Sequence, residues 1–376
     1  MQARERAASD PMRDGHRLTL EQKIGQLFIL GFQGYQPDLE TSAFLDYLQP
    51  GGFHLFQRNI ESFDQVYDLT TRLRGLPACP PFLTIDHEGG RVDRLKQIFA
   101  PIPSMPELAD MGMAHLRLGA RVIAAELEAA GFNVDFAPVV DLQYPDSVLR
   151  ERCLASDPSE VARFGAAFIE ELSKRGIVAC MKHFPGLGSA TVDSHFSLPR
   201  IDRTRRQIQQ ADMAPFVSLF GQAELIMIAH AHYPGLGDEK PVPASLSPKV
   251  VEGFLRKKLG YTGLTITDDL TMGAVTGIGL TPELFLRAFE AGNDLLLFSQ
   301  TTPLVEKAFK TILSAVRGSA VLRRRVDESV DRILTLKGKI EFVPLRYRAH
   351  LKARITRQIE RLRKSTVEIS TRTVSV

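Results

Sequence analysis

The chain has 376 residues, of which 44% are hydrophobic and 24% charged, and its formal net charge is +3 at neutral pH. This composition is typical of a globular protein and argues against disorder, and no apolar run reaches the length of a membrane span. The three cysteines, Cys79, Cys153 and Cys180, are an odd number without the spacing of metal ligands. They favour a reducing, cytoplasmic setting.

The first segment of the chain differs from the rest. Residues 1–17 are polar and charged and lack the apolar stretch of a secretory signal. We therefore predict a disordered leader over 1–17.

Strand-like and helix-like segments alternate along residues 18–342. Apolar and β-branched runs predict strands at 26–32, 52–57, 81–86, 133–140, 177–183, 225–231, 264–268 and 294–299. Amphipathic segments predict helices at 62–75, 112–131, 158–175, 204–222, 247–259, 281–291 and 302–316. Eight strands alternating with helices predict an α/β fold, a single-domain (β/α)8 TIM-type barrel, with the catalytic domain spanning 18–342.

The segment after the fifth predicted strand carries the densest group of reactive side chains. Lys182 and His183 lie at the end of the strand, and a loop rich in Gly and Pro then leads to Asp193 and His195. In a parallel barrel the carboxyl ends of the strands form the reactive face, so these groups are expected to converge there. Asp193 can orient the imidazole of His195 and stabilise its charge, as a proton-transfer catalyst requires.

Two further strands also end in charged residues. The seventh predicted strand ends in Asp268 and Asp269, and alternation along a strand lets only one of them face the barrel axis. The third ends in Asp86, His87 and Glu88, and two glycines follow that let the backbone approach a ligand closely.

The remaining strand ends add further polar groups to the same mouth. Asp141 ends the fourth strand, Arg150 and Arg152 follow on its loop, and His230 and His232 end the sixth. A pocket lined by acids, bases and imidazoles suits a ligand with many hydroxyl groups, such as a sugar. No glycine-rich phosphate loop follows a strand, which argues against a nucleotide.

The end of the chain is strongly basic. Arg346 to Lys364 contains eight lysines and arginines against the single acid Glu360, a net of +7, which leaves about −4 for the rest. Apolar residues recur there at helical spacing, so we predict a basic helical extension over 343–376 that packs on the barrel. The alternative is an arm for nucleic acid or a membrane surface, but the charges lack interleaved aromatics and no nucleic acid is expected.

With these residues the chain resembles glycoside hydrolase family 3, and within it the single-domain bacterial β-N-acetylglucosaminidases of the NagZ type. The likeness extends from Leu18 to about Leu336. Its specific element is the stretch from Lys182 to His195, which marks members whose acid/base is a histidine on this loop. Thr267 to Met272 resembles the family's nucleophile segment, in which the first carboxylate is the reactive one.

The resemblance implies a mechanism and a substrate. Asp268 would be the nucleophile, and His195, held by Asp193, the acid/base of a retaining hydrolysis through a covalent glycosyl-enzyme. The family's sugar-binding positions match polar residues at the strand ends, namely Asp86, Arg152, Lys182, His183 and His230. The expected substrates are carbohydrates with terminal β-linked N-acetylglucosamine, in particular muropeptide fragments of bacterial peptidoglycan recycling in the cytoplasm. No metal and no organic cofactor are expected.

The chain departs from the family's usual pattern at two positions. His87 stands where Gln is usual, and Arg150 stands where Gly is usual. These departures leave open the detailed preference for the sugar and its leaving group, and they do not alter the expected reaction.

Three other functions use the same residues. A phosphorylase or transglycosylase of this fold would keep the carboxylate, and a neutral histidine repels an anionic phosphate less than a glutamate would. A barrel metalloenzyme would draw ligands from Asp86, His87, His183, His230 and His232, although no helical His-x-x-x-His occurs. A non-catalytic sugar-binding protein is disfavoured by the complete set of reactive side chains.

Overall fold

The computed structural model describes residues 18–77, 79–340 and 349–373, with side chains of the last segment described from 351 to 364. The predicted leader at 1–17 lies outside the described residues, as do 341–342 at the end of the predicted barrel domain and 343–348 and 374–376 of the predicted extension. Among the helices that are described, none is long and apolar enough to cross a membrane.

Eight parallel strands form the centre of the molecule. In chain order they are β1 (Phe28–Leu30), β2 (Gly52–Leu55), β3 (Phe82–Ile85), β4 (Val134–Asp135), β5 (Val178–Phe184), β6 (Leu225–Ile228), β7 (Leu264–Thr267) and β8 (Leu296–Phe298). Their hydrogen-bonded order is β7-β6-β5-β4-β3-β2-β1-β8. A parallel bridge between Ile266 and Leu295 links the two outer strands and closes the sheet into a barrel. The predicted (β/α)8 barrel is confirmed, and each predicted strand overlaps an observed one.

Helices surround the barrel. They are α1 (Leu20–Gly25), α2 (Leu39–Leu48), α3 (Phe63–Arg74), α4 (Met105–Asp110), α5 (Met113–Ala130), α6 (Pro158–Ser173), α7 (Arg205–Gln207), α8 (Ala214–Leu219), α9 (Gly273–Thr276), α10 (Pro282–Glu290), α11 (Pro303–Gly318), α12 (Ala320–Lys337) and α13 (Ala349–Thr373). Two π-helical segments, Ile208–Asp212 and Lys249–Lys258, complete the predicted helices at 204–222 and 247–259. The strands lie beneath this layer and are almost entirely buried, so most of their residues are apolar.

Helix α6 shows how the local sequence sets a helix. The carboxylate of Asp157 accepts hydrogen bonds from the N–H groups of Ser159 and Glu160, which satisfies donors that have no partner within the helix. Phe168 lies on the buried face. Gly176, just beyond the helix, has a φ of +69°, a conformation that glycine adopts without strain.

The basic extension forms helix α13, which contacts α5. Its apolar stripe, Ile355, Ile359 and Leu362, is buried. Arg354 and Arg357 are exposed on the other side. The stripe therefore packs on the helix layer of the barrel, and the boundary near residue 342 stays a prediction.

The end of the barrel opposite the strand carboxyl ends holds a buried amine. Lys337 of α12 is fully buried, and its Nζ donates to Oε1 of Gln26 at 2.7 Å and lies 5.1 Å from the ring centre of Phe82. Burial lowers the pKa of Lys337 to about 7, because no carboxylate offsets the lost hydration.

Candidate active site

Asp268 and Asp269 follow β7 directly and have different surroundings. The carboxylate of Asp269 accepts hydrogen bonds from the N–H groups of Thr271 at 3.0 Å and Ser299 at 3.1 Å, so it holds the loop. Asp268 instead lines the central cavity, and its Oδ1 accepts only the N–H of Asp269, at 2.8 Å, among the bonds of the described residues. Asp268 is therefore the carboxylate of the pair that a ligand can reach.

The surroundings of Asp268 favour its charged form. Burial by itself would raise the pKa of this carboxyl group, but the imidazoles of His230 and His183 and the N–H of Asp269 lower it below its ordinary value. An ionised carboxylate at the end of a barrel strand can act as a nucleophile.

The loop after β5 brings an imidazole to the same cavity. Nδ1 of His195 lies 2.7 Å from Oδ1 of Asp193, and the same oxygen accepts the N–H of His195 at 2.9 Å. Since an ionised carboxylate only accepts, Nδ1 carries a proton and Nε2 is the atom left to exchange one with a ligand. Both residues line the cavity with Asp268, and the side chain of His195 is 65% exposed.

Oppositely charged side chains form ion pairs between the ends of β3 and β5. Nζ of the buried Lys182 lies 2.7 Å from Oδ1 of Asp86 and 2.5 Å from Oε1 of Glu88. Arg152 binds Glu88 through two hydrogen bonds, of 2.9 and 2.8 Å. Burial opposes ionisation of Glu88, but Arg152 and Lys182 lower its pKa to about 2, so the cluster stays charged. It presents both donors and acceptors to hydroxyl groups.

His183 is fixed from behind by a buried acid. Its Nδ1 lies 2.7 Å from Oδ2 of Asp141, which also accepts the N–H of His183, at 3.1 Å. The other oxygen of Asp141 accepts the N–H of Leu187 at 2.6 Å. Asp141 therefore orients the ring toward the cavity and anchors the base of the loop that carries His195.

The structure does not bring His230 into the cavity. Its ring is fully buried, with Nε2 donating to the carbonyl of Asp269 at 3.0 Å and Nδ1 accepting from the hydroxyl of Ser245 at 2.7 Å. Burial lowers the pKa of His230, which keeps the ring neutral and suits this pattern of donor and acceptor. The hydrogen bonds of His230 thus lie behind Asp268, and its contact with the sugar stays a prediction.

His87 also lies away from the cavity. It is fully buried, and its ring atom Nε2 lies 2.6 Å from Oε2 of Glu126 on α5. The main-chain N–H of His87 donates to Oδ1 of Asp135 at 3.0 Å. Burial opposes a charge on the ring, but Glu126 raises the pKa of His87 to about 9. Arg150, the other departure, is exposed and does not line the cavity either.

The central cavity has a volume of about 310 Å³, enough for a sugar ring and part of a leaving group. Of the predicted site residues, it is lined by Asp86, Arg152, Lys182, His183, Asp193, His195 and Asp268. Among the described residues, no group of three or more His, Cys, Asp or Glu side chains is arranged to hold a metal ion. The candidate ligands His87, His183 and His230 are each directed to a different partner. A metalloenzyme therefore finds no support in the donor geometry.

Several residues of the site were not predicted. Glu88 follows Asp86 by two positions, so strand alternation could have placed both on one face. Arg91 and Arg94 also line the cavity, and Nε of Arg94 is buried without a hydrogen-bond partner among the described residues. No sequence periodicity distinguishes these arginines from surface residues, because they follow the strand in a loop.

A barrel with a carboxylate and a carboxylate-held imidazole at one mouth is an arrangement that a sugar-processing hydrolase can use. The sequence matches the glycosyl hydrolase family 3 N-terminal domain over residues 19–336. The chain belongs to this family and is a glycoside hydrolase of the beta-hexosaminidase group. The resemblance inferred from the sequence is confirmed.

Individual relatives agree with this assignment. The chain is 37% identical to a beta-hexosaminidase of Idiomarina loihiensis over 251 residues, 65% of this chain and 75% of the relative. It is 32% identical to a beta-hexosaminidase of Nitrosospira multiformis, covering 84% of this chain and 93% of the relative.

Solved structures show the same likeness. A family 3 beta-N-acetylglucosaminidase from Paenibacillus sp. FPU-7 superposes with a TM-score of 0.85 at 32% identity, covering 92% of this chain and 68% of that one. Native NagZ from Neisseria gonorrhoeae superposes with a TM-score of 0.67 at 29% identity, covering 81% of this chain and 97% of that one.

Proposed function

We propose that the protein is a retaining exo-β-N-acetylglucosaminidase that removes terminal β-linked N-acetylglucosamine through a covalent glycosyl-enzyme. The observation that carries this proposal is that Asp268 and the Asp193–His195 pair line one cavity at the carboxyl ends of the strands. The names of structural relatives that are called beta-N-acetylglucosaminidases support N-acetylglucosamine as the sugar.

In the first step, Asp268 attacks the anomeric carbon while Nε2 of His195 gives its proton to the departing glycosidic oxygen. The bond to the leaving group breaks as the bond to the carboxylate oxygen forms. Asp193 stabilises the imidazolium before transfer and holds the neutral ring after it. In the second step, His195 takes a proton from water, the resulting hydroxide attacks the anomeric carbon, and Asp268 is released.

The binding side of the site would hold the sugar through its hydroxyl groups. Asp86 accepts from hydroxyls, and Arg152 and Lys182 donate to them, while His183 keeps its orientation through Asp141. Because Asp86 and Lys182 are already paired and charged, the site needs little rearrangement when the sugar binds. His230 would hold the nucleophile segment through the carbonyl of Asp269.

The substrates we propose are fragments of bacterial peptidoglycan, cleaved in the cytoplasm during cell-wall recycling. This assignment is supported by the likeness to NagZ and by bacterial beta-hexosaminidases among the relatives. The three cysteines, which are buried and unpaired, fit a reducing compartment.

The reaction can be tested with aryl glycosides. An aryl β-N-acetylglucosaminide should be cleaved far faster than the matching β-glucoside, and the sugar should be released with retained configuration. Preference for the glucoside, or release with inversion, would contradict the proposal. Activity that persists after chelation would exclude an essential metal.

A phosphorylase is the second candidate, because the proposed acid/base is an imidazole and not a carboxylate. The same aryl substrate incubated with and without inorganic phosphate separates the two reactions. Release of free sugar at an unchanged rate in phosphate identifies a hydrolase, whereas formation of a sugar phosphate identifies a phosphorylase.

A further inference from the structure

The tip of the loop that carries His195 is held by the segment that carries Asp268. The N–H of Gly273 donates to the carbonyl of His195 at 3.0 Å, and the N–H of Ala274 donates to the carbonyl of Ser194 at 3.0 Å. Gly273 begins α9, five residues after Asp268. Two main-chain hydrogen bonds therefore join the proposed acid/base directly to the proposed nucleophile segment.

Gly273 is the point of closest approach between these two segments. A Cβ atom at this position would lie 2.6 Å from the carbonyl oxygen of His195 and 2.6 Å from that of Phe196. Both distances are well below van der Waals contact. The φ of Gly273 is not in the left-handed region, so the glycine is needed for the close approach and not for its backbone conformation.

The platform beneath this contact is firmly held. Asp269 binds the N–H groups of Thr271 and Ser299, and its carbonyl accepts from His230. The loop is different at its tip, because the side chains of His195 and Phe196 are largely exposed. At its base the loop is bound through Ala190, whose carbonyl accepts the N–H of Val148 at 3.0 Å. The position of the tip therefore depends on its contact with α9.

We infer that Gly273 is a positioning residue that sets the place of the His195 imidazole relative to Asp268. The inference rests on the proposed role of His195 as acid/base. Any side chain at position 273 would push the tip of the loop away, while Asp268 and the binding cluster would stay in place. The consequence is a selective loss of proton transfer.

Gly273→Ala should show the pattern of a weakened acid/base in a stable protein. Turnover of a substrate with a poor leaving group should fall about 10- to 100-fold, less than the roughly 10²- to 10⁴-fold that general acid catalysis contributes, because the imidazole is displaced and not removed. Turnover of a dinitrophenyl glycoside, whose leaving group needs little protonation, should fall much less in its first step. KM should change little. Thermal stability should fall only slightly, because the side chains at the loop tip are exposed and the tip can shift away from the added methyl group.

Azide provides a second readout that a structural defect would not produce. This anion attacks a glycosyl-enzyme without help from a general base, so it should accelerate turnover of the dinitrophenyl substrate by Gly273→Ala and by His195→Ala. It should not accelerate wild-type enzyme. Gly318→Ala is the matched control, because a Cβ there meets open space at the end of α11, and it should behave as wild type.

The outcomes separate this inference from the proposed function. If His195→Ala shows no dependence on the leaving group, the acid/base assignment itself fails. If His195→Ala shows it but Gly273→Ala has wild-type kinetics, or loses activity equally on all leaving groups without azide rescue, the inference on Gly273 is wrong. If Gly273→Ala does not fold, Ala274→Pro tests the inference in the same assays. Proline removes the N–H that donates to the carbonyl of Ser194 and is tolerated in a first helical turn.

Discussion

At the scale of single residues, we expect different roles for Asp268 and Asp269, the two carboxylates that follow β7. Asp268→Ala should lower kcat/KM by on the order of 10⁴-fold or more, because the covalent step is lost. Asp269→Ala should lower activity less and should reduce the free energy of unfolding by about 1–3 kcal/mol, because the N–H groups of Thr271 and Ser299 lose their acceptor. Steady-state kinetics and urea unfolding of both variants measure the two effects. Loss of turnover in Asp269→Ala alone would reverse the assignment.

The proposed acid/base predicts a dependence on the leaving group. His195→Ala should lose about 10²- to 10⁴-fold on substrates with poor leaving groups and much less on activated aryl glycosides. Asp193→Ala should act in the same direction and more weakly, because Asp193 orients and stabilises the ring without transferring the proton. A plot of log kcat/KM against leaving-group pKa should be steeper for both variants than for wild type. Parallel plots would indicate that His195 only binds substrate.

At the scale of elements, the strands were predictable and some helices were not. The strands are almost entirely buried, and most of their residues are apolar or β-branched, which is a strong signal even in a short segment. Helix α2 (39–48) was missed because only Leu45 and Leu48 are buried on it and Leu39 is 91% exposed. Helix α12 has a clear stripe, Val326, Val330 and Ile333, but it lies beyond the last repeat of the barrel pattern.

The sequence correctly placed those residues of the candidate site whose position depends only on the direction of the strands. Asp86, Lys182 and Asp268 lie at strand ends, and the topology brings them to one mouth. His230 and His87 also lie there, yet their rings point into the helix layer or behind the nucleophile segment, toward partners that are 15 to 39 residues away in the chain. Which face a strand-end side chain takes depends on these distant partners, and a single sequence does not reveal them.

Helix α13 yields a prediction about packing. Ile359 is fully buried against the barrel, so Ile359→Ala should lower the free energy of unfolding by about 2 kcal/mol or more. Arg361→Ala, on the exposed side, should change it by less than about 0.5 kcal/mol. Neither variant should change kcat/KM for a small aryl substrate. Equal, small effects on unfolding would mean that the helix does not pack as described, and a loss of kcat/KM would mean that it supports the site.

At the scale of the whole molecule, the buried amine of Lys337 makes stability depend on pH. Its pKa is about 7 when folded and about 10.4 when unfolded, so the unfolded state binds more protons between these values. Above about pH 10.4 the amine is neutral in both states, so its burial then has no electrostatic cost. As the pH falls toward 7, only the unfolded state takes up the proton, and the free energy of unfolding decreases by on the order of a few kcal/mol. Lys337→Met should remove this slope.

The measurement is the free energy of unfolding in urea at several pH values between about 7 and 10. The difference between Lys337→Met and wild type should shrink or change sign as the pH rises, because the wild type gains stability. Lys339→Met is the matched control, since Lys339 is exposed nearby, and its difference from wild type should stay constant. A constant difference for Lys337→Met would show that its amine is hydrated.

The loop contact with α9 has a consequence for how such an enzyme can diversify. Both bonds at the tip use main-chain carbonyls, so they place no demand on the identity of the neighbouring side chains. Val192 and Phe196 flank the catalytic pair and are 45% and 82% exposed. Substitutions of these two residues can therefore vary the surface beside the proposed proton donor, while the main chain of the tip and the proposed sugar-binding residues at the strand ends keep their places. We therefore expect substitutions of Val192 and Phe196 to change the leaving-group preference more than the sugar preference.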